Sequence, residues 1–175
     1  MKRYVPIIIG VVALCAVLYL GSNKMESEEE ILTNNEATST EMMSKSFQGS
    51  VTRGENTLEY GFDLPETAAT SMSMDNALIT ITDSDAPVLA MYVSFEGTRG
   101  YSPADYITKN IMPKVNGVTE RESVTLGAYD WKTAESANSE WHVASTEDGK
   151  WLLVVENKKS DNEKAMEILK SLSTK

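Results

Sequence analysis

Residues 141–155, WHVASTEDGKWLLVV, decide the fold. Two apolar-rich runs flank Asp148-Gly149, a dipeptide suited to a two-residue type I′ hairpin turn. That register sets Val143 opposite Val154 and Thr146 opposite Trp151. Side chains alternate along a strand, so Trp141, Val143, Leu152 and Val154 share one face. Ala144, Trp151, Leu153 and Val155 share the other. Both faces are apolar, which implies a hairpin inside a sheet covered on both sides.

The same two-sided pattern recurs upstream. Residues 88–96, VLAMYVSFE, set Leu89, Met91, Val93 and Phe95 against Val88, Ala90 and Tyr92. Residues 77–82, ALITIT, and the alternating Leu58, Tyr60 and Phe62 read as two further strands, the latter stopped by Pro65. A loop rich in Thr, Ala, Ser and Met is expected from Pro65 to Asn76. Strands are also expected over 118–126, around Tyr129, Trp131 and Thr133, and around Trp141, Val143 and Ser145. Ser102-Pro103 with Asp105 marks a helix start, and Pro113 ends that helix. Ser160 and Glu163 have capping-box spacing ahead of an Ala165, Ile168, Leu169, Leu172 stripe. The order is three strands, a helix, four strands and a helix. This predicts an α+β fold: a three-layer α/β/α sandwich around a mostly antiparallel sheet.

Residues 4–20, YVPIIIGVVALCAVLYL, carry no charge. As a helix they span roughly 26 Å, just enough for a hydrocarbon core of about 30 Å. Lys2 and Arg3 precede them, so the remainder is expected outside the cytoplasm. Bulky residues at the −3 position of the small-residue sites after Leu20 disfavour cleavage. Leu14 before Cys15 disfavours a lipid anchor. The expected organisation is a membrane anchor over 1–21, a flexible acidic linker over 22–50 and a globular domain over 51–175. Should the leader be cleaved, the domain would be secreted.

The chain has 175 residues and a net charge of −10. An acidic domain repels phosphate backbones, so nucleic acid is not an expected partner. Cys15 is the sole cysteine, which excludes an intramolecular disulfide.

The element order, with Tyr60-Gly61-Phe62-Asp63-Leu64-Pro65 at its start, resembles the PsbP/Mog1-like fold. That group includes bacterial envelope domains similar to the DcrB lipoproteins. The resemblance covers residues 57–173; Glu66-Thr67 stand where a Trp is frequent in the group. It implies a non-enzymatic accessory or binding role and supplies no catalytic residue.

The chemistry-bearing residues are few. His142 is the only histidine and stands on a strand, with no nucleophile-elbow motif in the chain. One His and one Cys do not make a zinc set. Asp83, Asp85, Glu147 and Asp148 are acidic turn residues without the pattern of a calcium loop. The Met72 and Met74 pair, with Met42-Met43, offers thioethers without further copper-site spacing. Trp131, Trp141 and Trp151 fill a core or line a cleft. No catalytic residue, cofactor or metal is expected. Arg99-Gly100-Tyr101 is the expected contact surface. The expected function is a membrane-tethered, extracytoplasmic, non-catalytic accessory domain with an envelope protein as partner. A small-molecule or ion-binding sensor is the alternative, and a secreted or tethered hydrolase stands behind it.

Overall fold

The computed structural model describes residues 43–175. The apolar stretch 4–20, with Cys15, and the linker as far as Met42 lie outside the described residues. Among the described residues no helix is long and apolar enough to cross a membrane.

Seven strands form one antiparallel sheet. In chain order they are β3 (Ala68–Met72), β4 (Leu78–Asp83), β5 (Ala86–Ser94), β6 (Thr119–Leu126), β7 (Tyr129–Glu135), β8 (Ser139–Ser145) and β9 (Leu152–Lys158). Across the sheet the order is β3-β4-β5-β9-β8-β7-β6. A second, small sheet joins β1 (Met43–Arg53), β2 (Asn56–Pro65) and β10 (Ser173–Thr174). Helix α1 (Pro103–Tyr106) continues as a π-helical turn, Ile107–Ile111, and α2 is Asn162–Ser171. The chain is therefore α+β, with antiparallel sheets and two α-helices among the described residues.

The central hairpin has the register its sequence implies: Val143 pairs with Val154. Its turn is different. The Gly149 N–H donates to Thr146 O at 2.9 Å, and Gly149 alone in the turn has positive φ, 69°. A type I′ turn needs positive φ at both central residues. Thr146 decides the outcome: its Oγ1 donates to Asp148 Oδ1 at 2.7 Å and accepts the Trp151 N–H at 3.2 Å. The same register then closes through a wider turn. The pair with both φ values positive is Ser84-Asp85, between β4 and β5, at 50° and 66°.

Two apolar clusters lie on the two faces of the large sheet. One joins Trp141, Val143, Leu152 and Val154 to Tyr106, Ile107 and Ile111 of the α1 region. The other joins Ala144, Trp151, Leu153 and Val155 to Ala165, Ile168 and Leu169 of α2. Val51, Leu58, Tyr60 and Phe62 of the small sheet belong to this second cluster. The expected stripe of α2 is thus buried, and both predicted faces of the hairpin are covered.

Four local readings are corrected. The boundary at 50/51 falls inside β1. Residues read as linker pair with β2, and Phe47 stacks on Phe62 at 4.9 Å between centroids. Pairing satisfies a backbone that a lone polar segment leaves to water. The stretch read as loop after Pro65 contains β3, an edge strand with only Ala68 buried, so no alternation marks it. The helix opened by Ser102 is α-helical for four residues only. It then widens, with the Met112 N–H donating to Ile107 O at 3.0 Å. The capping box of Ser160 and Glu163 does not form. The chain enters α2 through a 3-10 turn, Lys159–Asp161, and the Ser160 hydroxyl donates to Asp161 instead.

Candidate functional site

A cleft of about 210 Å³ opens on the α2 side of the sheet, where strands β6 to β8 run out from under the helix. Its shape starts with an irregularity in β6. Arg121 pairs with Thr133 and Val124 with Trp131, so β6 spends one extra residue between them. Such a bulge re-aims side chains. Here it turns Arg121 and Val124 to the same face as Thr133 and Trp131. Glu135 follows on β7, Glu140 and His142 on β8, and Asn162 and Met166 of α2 close the far side. The other end of α2 is held close to the β6–β7 turn. A Cβ on Gly127, whose φ is +59°, would stand 2.5 Å from Lys170 O.

His142 is the buried polar group of this cleft, 4 % exposed. Trp131 meets it edge-on, with ring centroids 6.4 Å apart. Neither ring nitrogen has a hydrogen-bond partner of normal geometry. The nearest charged atom is Glu140 Oε2, 3.7 Å from Nε2. Burial disfavours the imidazolium and lowers the His142 pKa to about 4, and Asn157 beside it offsets only part of this. At neutral pH the ring is therefore uncharged, with one nitrogen free to accept.

The rest of the rim is internally matched. Glu135 accepts from Arg121 and pairs with Lys159 at 3.2 Å, and these cations hold its carboxyl below the usual range. The Thr133 hydroxyl, the only one lining this cleft, donates to Glu122 O at 2.7 Å. It is committed to the backbone of the bulge and not to the imidazole. Behind the cleft, Asn157 is fully buried; its Nδ2 donates to Asn162 Oδ1 at 3.2 Å.

A second cleft, about 360 Å³, lies beside the central turn and is lined by Thr57, Leu58, Thr146, Asp148, Trp151 and Lys175, among others. It carries two acidic side chains, Glu147 and Asp148; Asp148 accepts from Thr146 and from the Lys150 N–H, which lowers its pKa.

Arg99, Gly100 and Tyr101 line neither cleft. Arg99 is the last residue of a short 3-10 helix, Phe95–Arg99, that Gly100 ends with φ 76°. Arg99 pairs with Glu96 at 3.1 Å and keeps half its side chain exposed. Tyr101 packs on the α1-side cluster, and Lys109 Nζ sits 4.9 Å from its ring centroid. The three tryptophans are core residues: none is more than 2 % exposed. Met72 and Met74 are exposed. Asp83 is buried against Thr67 at 2.6 Å and Lys164 at 2.5 Å, which lower its pKa. Among the described residues no group of three or more His, Cys, Asp and Glu could hold a metal ion.

Sequence reading missed Glu156. It is 3 % exposed on the α1 side of β9, and burial raises its pKa to about 7, with Ser139 and Trp141 offsetting part. The signal was a single Glu at the end of the apolar run LLVVE. Glu140 and Arg121 were missed as well. Each reads as an ordinary polar strand residue until the bulge and the helix place it.

No family model and no curated protein matches the chain. Among solved structures, the chain is similar to one from Bacteroides thetaiotaomicron VPI-5482, at 12 % identity and a TM-score of 0.50. The match covers 77 % of this chain and 49 % of that one, so this chain spans about half the length of that structure. At this identity the likeness speaks to fold alone.

Proposed function

We propose that this chain is a membrane-tethered, extracytoplasmic domain of the PsbP/Mog1-like type that binds and does not catalyse. In this reading residues 4–20 form the anchor, and the folded part is a three-layer α/β/α sandwich that holds or stabilises other envelope components. The observation that carries the binding role is the His142 cleft. It offers a neutral imidazole and carboxylates, while its one hydroxyl is committed to a backbone carbonyl. Nucleophilic catalysis needs a nucleophile within reach of its base. Glu156, whose pKa of about 7 would suit proton transfer, lines neither cleft. The turn of Arg99, Gly100 and Tyr101 supplies a contact surface, with a half-exposed guanidinium beside a cation-capped ring.

The test is fractionation of cells making the full chain, with protease added from outside. The expected result is a membrane-bound polypeptide whose domain is accessible only from the non-cytoplasmic side. Full-length protein dissolved in the cytosol would overturn the reading. A pull-down from membranes, compared with a chain starting at Met43 where β1 begins, then separates partners of the domain from partners of the tether. The cleft also favours a second reading, a small-molecule sensor; binding of a small ligand with no envelope protein captured would select it.

A further inference from the structure

We propose that the cleft between Glu140, His142 and the first turn of α2 binds a primary ammonium group, carried either by a small free amine or by a lysine side chain. The inference rests on the binding role proposed above and names its ligand chemistry.

Three observations carry it. The first is an unmet valence. His142 is buried, lines the cleft and makes no hydrogen bond of normal geometry through either ring nitrogen, with the Asn157 side chain its one polar neighbour behind the cleft. A buried polar group in that state destabilises the fold until something satisfies it. The second is charge. Glu122, Glu135 and Glu140 line the cleft against Arg121 alone. Glu135 is already engaged with Arg121 and Lys159. The Glu140 side chain is only 23 % exposed, and the ion-pair partner it faces within 4 Å is His142, which is neutral at pH 7. The third is size. About 210 Å³ is below the roughly 300–1,000 Å³ of sites for drug-sized ligands. A side-chain-sized group fits.

These conditions select a cation that donates hydrogen bonds. An ammonium has three N–H donors. One can meet Glu140, whose oxygen lies 3.7 Å from Nε2, and another an imidazole nitrogen once the ring turns toward the cleft, because both nitrogens are closed to solvent as the ring stands. An anion would face the carboxylates with the one lining guanidinium already engaged. A metal ion would need more ligands than the described residues assemble there. Met166 and Val124, partly buried beside the cleft, give an alkyl stem apolar contact.

The single histidine makes the test direct. The full chain, in a membrane-mimicking micelle and an amine-free buffer, is labelled with ¹⁵N-histidine and its one imidazole signal followed. The probes are n-butylammonium, Nα-acetyl-lysine-N-methylamide and n-butanol. Expected is a saturable shift with n-butylammonium and none with n-butanol. A shift with the lysine derivative as well marks a site open to a protein side chain; a shift with n-butylammonium alone marks a free-amine site. Glu140→Gln should weaken the binding at least about tenfold, because a hydrogen bond to a charged group is lost. Its unchanged backbone spectrum would show that the fold is kept. No shift with either amine, an equal response to n-butanol, or unweakened binding to Glu140→Gln overturns the proposal. Captured envelope partners alongside such a negative result would leave the binding role standing and remove only the ammonium site.

Discussion

The two faces of the seven-stranded sheet share one hairpin and are finished differently. Toward α1 the cover is short. Nine residues, Pro103–Tyr106 and Ile107–Ile111, lay Tyr106, Ile107 and Ile111 on Trp141, Val143, Leu152 and Val154. Toward α2 the cover is larger, with a ten-residue helix and the small sheet, yet it leaves His142 under a cleft. Amount of cover is therefore not what closes a face. The α1 segment is clamped at its start by Ser102 and then widened so that successive side chains reach the sheet. Helix α2 is held at its far end by close backbone approach, Lys170 over Gly127, and at its start by side chains, Asn157 to Asn162 and Lys164 to Asp83, after a 3-10 turn. The cleft lies at the end held by side chains.

Each face also buries one titratable side chain, and strand alternation separates them. His142 pairs with Val155, and Glu156 is the next residue along β9, facing the other way beside Trp141. The environments push the two groups toward their uncharged forms, His142 down to about 4 and Glu156 up to about 7.

The largest effects should come from the tryptophans. Trp131→Ala and Trp141→Ala each remove a side chain no more than 2 % exposed. Each should cost about 3–5 kcal/mol in urea unfolding. The faces separate in a second readout. Trp131→Ala should move the His142 pKa back toward 6.5, because the ring that shields the imidazole is gone. Trp141→Ala should leave it near its present value. Equal movement of His142 in both variants would break the distinction between the faces.

Next in size is the dependence on pH. An exposed histidine titrates near 6.5, so the unfolded chain takes up its proton before the folded one does. Stability from His142 is full above 6.5 and falls as pH drops toward 4. Glu156 runs the other way. Below about 4.5 both states hold its proton; as pH rises, the unfolded chain loses it first, and stability falls toward pH 7. Between 4.5 and 6.5 the two slopes oppose each other and largely cancel. Glu156→Gln removes one of them. Unfolding free energies of that variant from urea titrations should climb with pH across 4 to 6.5, by roughly 3 kcal/mol in all. At pH 8 it should exceed the unsubstituted protein by a similar amount. A flat profile in the variant would mean that His142 is not buried neutral.

Gly127→Ala follows. A Cβ there meets Lys170 O at 2.5 Å in a left-handed backbone. The expected loss is about 2 kcal/mol by thermal unfolding. Because the clash displaces α2 at its pinned end, the His142 imidazole signal should shift as well; an unmoved signal would show that the pin does not set the cleft.

The residues that spoke clearly in the sequence were those whose partners are close along the chain. Asp148-Gly149 and the flanking alternation fixed the hairpin register and both of its faces, because period two leaves no other choice once the pairing is set. Ser102, Pro103 and Asp105 marked α1 for the same reason. The turn type escaped because side chains take the turn's backbone donors, Thr146 Oγ1 accepting the Trp151 N–H and Asp148 Oδ1 the Lys150 N–H. β1 escaped because Phe47 reads as a lone aromatic until Phe62 is placed beside it. The cleft had no local signature at all. It depends on a bulge at 121–124, on where α2 stops covering β8, and on a buried histidine with no hydrogen bond of normal geometry. Each of these is a relation between segments far apart in the chain.

The smallest predicted effect tests that account of the two helices. Both starts carry a serine three residues ahead of an acid, Ser102 with Asp105 and Ser160 with Glu163. Only the first forms a cap: Ser102 Oγ accepts the Asp105 N–H at 3.1 Å, and Asp105 Oδ2 accepts the Ser102 N–H at 3.2 Å. Ser102→Ala should therefore cost about 1 kcal/mol. So short a helix has little stability of its own and relies on its cap and its packing. Ser160→Ala removes a hydroxyl that bonds only Asp161 at the surface, and its cost should stay within about 0.5 kcal/mol. Chemical-denaturation midpoints of the two variants give the comparison directly. Equal losses would mean that Ser160 caps α2 in solution. The helix would then begin one residue earlier, at Asp161, and bring its first turn closer over the opening beside His142 on which the ammonium site depends.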